Sequence, residues 1–64
     1  MTFEQKILKA IDRYAKKTGL SEVTIGKRIA NESGFYERLS NGGGITTRTY
    51  QRAVEWFSEK GITI

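Results

Sequence analysis

The segment Ser21–Gly42, SEVTIGKRIANESGFYERLSNG, carries two short runs of helical periodicity separated by an interruption. Ser21 is a good N-cap, and a helix is expected from Glu22 to about Ile29 with Val23, Ile25, Gly26 and Ile29 turned inward. Ala30, Asn31, Glu32 and Ser33 break the period. A second helix is expected through Gly34–Leu39, in a rod running from Glu32 to Leu39. Phe35, Tyr36 and Leu39 share one face of it, and Ser33, Gly34, Glu37 and Arg38 share the other. Asn41 and the glycines 42–44 then form a loop, because each helical Gly costs about 1 kcal/mol relative to Ala.

On either side of this pair the periodicity predicts longer helices. From Phe3 to about Lys17 the apolar residues Phe3, Ile7, Ile11 and Tyr14, with Ala10 and Ala15, fall at helical spacing, capped by Thr2 and closed by Gly19. The cations Lys6, Lys9, Arg13, Lys16 and Lys17 occupy about 100° of the opposite side of that wheel. After the glycine loop, Thr46 or Thr47 can cap a last helix with an inner stripe of Tyr50, Ala53, Val54 and Phe57, stopped by Gly61. The tail Ile62-Thr63-Ile64 alternates and either pairs as a short strand or drapes over the core. The chain therefore reads as one all-α domain of four to five helices.

Sixty-four residues without Cys or His exclude a disulfide scaffold and the usual zinc and general-base chemistry. A chain this short buries only about 60% of the surface its unfolded form exposes, leaving no room for a large catalytic cavity. No enzyme, cofactor or metal site is expected. Eleven Lys and Arg against seven Asp and Glu give +4, which suits a partner bearing phosphates or another anionic surface. The positive charge is uneven. Residues 1–20 carry +3 (five basic, two acidic), residues 21–44 are neutral (three and three), and residues 45–64 carry +1 (three and two). Without a signal-like start or an apolar run of 18 residues, the expected location is the cytoplasm.

Four short helices with a basic surplus suit a small DNA-binding domain, and Ser21–Gly42 resembles, without a gap over 22 residues, the helix-turn-helix of the phage-repressor (lambda-repressor-like) family. In that pattern Ile25, Ile29, Tyr36 and Leu39 are buried, and Gly26 sits where a small residue lets the helices approach. Ala30 stands where the turn usually has Gly, which implies a modified turn or a left-handed Ala30. Asn31 replaces a usually apolar residue, and Gly34 falls inside the recognition helix. The resemblance implies that Glu32, Ser33, Gly34, Glu37 and Arg38 face base edges. Arg38 has the donors for guanine O6 and N7, Glu37 can accept from cytosine N4, and Ser33 suits either kind of base. Capping within the protein or selectivity is the alternative role for Glu32 and Glu37.

Helix starts with nearby cations suggest the phosphate contacts. Ser21, Thr24, Lys27 and Arg28 fit one site; Asn41, Thr46, Thr47 and Arg48 fit another. No Gly-Lys-Ser/Thr follows the glycines, so a nucleotide-binding loop is not expected. The ridge on the first helix is a solvated face, a second phosphate contact or a partner surface. Trp56 either packs on the tail or joins Ile62 and Ile64 as the seam of a homodimer on DNA. The expected function is a sequence-specific double-stranded-DNA-binding transcriptional regulator of the prokaryotic or phage repressor type. The competing expectation is a helical protein-interaction module, such as a phage-encoded inhibitor or adaptor, without DNA binding.

Overall fold

A computed structural model describes residues 2–64 and contains, among them, four helices and no strand. Helix α1 spans Phe3–Thr18, α2 Glu22–Ala30, α3 Phe35–Ser40 and α4 Thr47–Glu59. Each of the three longer helices begins on a hydroxyl cap. Thr2 Oγ1 accepts the N–H of Gln5 while Gln5 Oε1 accepts that of Thr2, a reciprocal capping box. Ser21 caps α2 through the N–H of Thr24, and Thr46, rather than Thr47, caps α4 through the N–H of Thr49.

The helix ends explain how so short a chain turns back on itself. α3 and α4 close with the same pair of bonds. Gly42 donates to the Leu39 carbonyl and Gly43 to that of Arg38; Gly61 donates to Ser58 and Ile62 to Phe57. Gly42 and Gly61 are left-handed, at φ 88° and 80°, as that closure requires. The second closure draws Ile62 onto the core, where it is only 7% exposed. The tail therefore drapes rather than pairing as a strand, and Ile62 is almost wholly taken up by the core.

α1 and α2 each pack against all the other helices, whereas α3 and α4 do not meet. Their common core holds Ile7, Ile11, Ile25, Phe35, Leu39 and Phe57, fully or almost fully buried, with Ala10, Ala15, Ile29 and Ala53 between them. At Gly26 the backbone of α2 lies against the start of α3. A Cβ there would stand 3.1 Å from Tyr36 Cβ and 3.2 Å from Tyr36 N, so only hydrogen fits without displacing the helix.

Four inward expectations are corrected, the first being Val54, which is only half-buried and is not among the residues packed on the core, where Trp56 packs instead. Val23 is 41% exposed, because it lies about 200° around the wheel from Ile25 and the two cannot share a face. Phe3, at the first position of α1, reaches past the core and is 53% exposed, its ring stacked on Tyr50 at 4.5 Å. Tyr36 is half-buried rather than buried, and Phe35 takes the central position instead.

Candidate nucleic-acid interface

The connection between α2 and α3 departs from the expected turn. The left-handed residue is Asn31 (φ 55°, ψ 38°), not Ala30, which stays in α2 and packs against the core. Asn tolerates that conformation far better than Ala, so the strain foreseen at Ala30 is avoided by ending the helix one residue later. The continuous rod from Glu32 to Leu39 is also corrected. Glu32 and Ser33 belong to the turn, Gly34 is the residue before the helix, and α3 is a turn and a half from Phe35 to Ser40. The Glu32 carbonyl accepts the N–H of Phe35 and that of Gly34 the N–H of Arg38, so turn and helix are hydrogen-bonded into one unit.

All five base-contact candidates, Glu32, Ser33, Gly34, Glu37 and Arg38, are exposed, while Phe35 and Leu39 anchor α3 from below. Arg38 is held from three sides. Its Nη1 donates to Glu32 Oε1 in the only ion pair among the described residues, and its Cζ lies 5.8 Å from the Phe35 ring centroid. The glycine loop closes against its stem. Both side chains of the pair remain nearly half exposed, so it contributes little stability but restricts where the guanidinium points. Glu37 makes no ion pair among the described residues, and its carbonyl accepts the hydroxyl of Ser40.

Gly43 carries that third restraint. A Cβ on it would lie 2.6 Å from Arg38 Cγ and 2.7 Å from the Arg38 carbonyl oxygen. Gly43→Ala is expected to cost about 1–3 kcal/mol in urea unfolding, because the carbonyl it strikes belongs to the helix end and cannot rotate away. Gly34→Ala, with nothing within 4 Å and an ordinary φ of −91°, is expected to be neutral or slightly stabilising. Equal losses for the two would contradict the packing described.

Of the phosphate-contact candidates, Thr24, Lys27 and Arg28 meet Val23, Asn31 and Ser33 around one open cleft of about 570 Å³. One base-contact candidate thus lies beside three of the phosphate candidates. Ser21 sits at the capped start of α2, its hydroxyl 2.8 Å from that of Thr24. The start of α4 repeats the arrangement, with Thr46 Oγ1 3.0 Å from Thr49 Oγ1. Thr47 and Arg48 are exposed in that first turn, which contains no acidic residue, so the positive end of the α4 dipole is not neutralised there. α2, by contrast, has Glu22 in its first turn. Asn41 is exposed at the end of α3, its N–H bonded to the Glu37 carbonyl.

Two residues that matter here were not singled out from the sequence for these roles. Glu4 Oε2 accepts the N–H of Ile45 (3.3 Å), tying the loop that leads into α4 back to α1. In the sequence an acid in the first turn of a helix reads only as a dipole complement, and nothing signals a partner 41 residues away. Val23 lines the cleft as its apolar edge. The Tyr36 hydroxyl has its pKa pushed up by burial and further by Asp12 and Glu22.

No group of three or more potential metal ligands lies together among the described residues, and no helix there is long and apolar enough to cross a membrane. No protein-family model, curated protein or solved structure matches the chain.

Proposed function

We propose that this protein binds double-stranded DNA sequence-specifically and regulates transcription, as a helix-turn-helix domain of the lambda-repressor-like kind. The observation that carries the reading is the exposed polar edge formed by Glu32, Ser33, Glu37 and Arg38. It is backed by the buried Phe35 and Leu39, and its arginine is already oriented. An edge of this kind suits a major groove about 12 Å wide, where Arg, Glu and Ser each have matching groups on base edges. The hydroxyl-capped starts of α2 and α4, Arg48 in the first turn of α4, and Lys27 and Arg28 in the last turn of α2 supply donors for the backbone phosphates. No catalytic step is involved; occupancy of an operator is the activity.

The reading implies a defined response to salt. With Lys27, Arg28 and Arg48 on phosphates, log affinity for duplex should fall linearly with log salt with a slope of about −3. Arg48→Ala should weaken all duplexes alike and reduce the slope by about 1. Fluorescence anisotropy on a labelled random duplex checks both. Absence of salt-dependent duplex affinity would exclude the proposal.

A further inference from the structure

The strongest concentration of charge lies away from the turn and α3. Lys6, Lys9, Arg13, Lys16 and Lys17 project from one side of α1, bordering Ala10 at the edge of its buried stripe of Ile7, Ala10, Ile11 and Ala15, which faces the other three helices. None of the five forms an ion pair among the described residues. Neighbours such as Lys9 and Arg13 stand one turn apart, a like-charge spacing that is unfavourable on an isolated helix. Beside them runs a groove of about 240 Å³ between α1 and the tail, lined by Lys6, Lys9, Ala10, Arg13, Thr63 and Ile64. Its floor is apolar, made of Ala10, Ile64 and the alkyl stems of the long cations.

We infer that this ridge and groove are a docking surface for an acidic amphipathic helix of a partner protein. Two features favour a peptide over a second duplex. The groove has room for an aliphatic side chain, and a phosphodiester backbone brings nothing to fill it. The cations recur turn by turn along about 16 Å of helix, the repeat at which carboxylates recur on an opposing helix. The occupant would place Glu or Asp against Lys9, Arg13 and Lys16 and one Leu or Ile against Ile64. Because none of the residues lining the groove belongs to the turn or α3, it can be filled while those are engaged elsewhere, and the inference stands independently of the DNA reading.

The test uses the full chain and a synthetic helical peptide carrying Glu at every turn and a single Leu stripe, alongside a control peptide with Leu replaced by Ala. Amide-shift mapping should place the Leu peptide on Lys6, Lys9, Arg13, Thr63 and Ile64. The control should bind at least tenfold more weakly, and Arg13→Ala and Ile64→Ser should each weaken the Leu peptide at least fivefold. Equal binding of the two peptides, or shifts spread evenly over all cations, would reduce the ridge to a counterion surface and overturn the proposal. It would be overturned equally if Lys9→Ala and Arg13→Ala lowered duplex affinity more than tenfold without affecting the peptide, since the ridge would then be a DNA contact.

Discussion

Phe35→Ala is expected to leave the chain largely unfolded at room temperature. Phe35 is fully buried at the junction of α2 and α3, with its Cδ2 3.4 Å from where a Cβ of Gly26 would stand. Truncating a buried Phe costs about 3–5 kcal/mol through lost transfer energy and the cavity left behind. A domain below about 70 residues rarely has more than about 3–5 kcal/mol in total. Circular dichroism should show loss of the cooperative thermal transition. Phe3→Ala removes a ring of the same size from a position that is 53% exposed and, with its stacking on Tyr50 lost as well, should cost about 1–2 kcal/mol, well below Phe35→Ala. A cooperative Phe35→Ala protein of nearly parental stability would mean that α3 is not anchored through this residue.

The second large effect concerns recognition rather than folding. Arg38→Ala should abolish preference at one G·C pair, a loss of about 1–3 kcal/mol in discrimination, while other positions of the site keep theirs. Stability should change by less than about 1 kcal/mol, because the bond to Glu32 that is lost lies between half-exposed groups. Arg38→Lys should keep part of that preference, since an ammonium can donate to guanine O6 and N7 but lacks the planar fork that fixes the contact. Binding selections from a random-duplex library, run on parent and variants, measure this. Unchanged preference at every position would remove Arg38 from the reading surface.

The four helices were legible because three of them carry caps and periodic apolar stripes that agree with one another. Thr2, Ser21 and Thr46 all cap as their side chains suggest. What local pattern could not supply was the turn. Whether Ala30 or Asn31 becomes left-handed depends on how α3 seats against α2, a tertiary matter, and it moved Glu32 and Ser33 out of the expected rod. Their exposure survives the shift, since they remain on the outer side of the turn. The tail is a similar case. Its alternation suggests a strand or a seam, yet the closure of α4 through Gly61 commits Ile62 to Phe57. Trp56 is likewise engaged within the chain, edge-on to Tyr14 and Phe57 at 5.3 and 5.1 Å. Any seam between copies is therefore reduced to the half-buried Ile64 and the outer edge of Trp56.

The central claim is that the turn and α3 form the face that meets a duplex, and amide-shift mapping during titration with a library-selected duplex tests it most directly. The account predicts the largest shifts at Ser33, Gly34, Glu37 and Arg38, with smaller ones at the starts of α2 and α4. Shifts concentrated on Lys6 through Lys17, with α3 undisturbed, would contradict it.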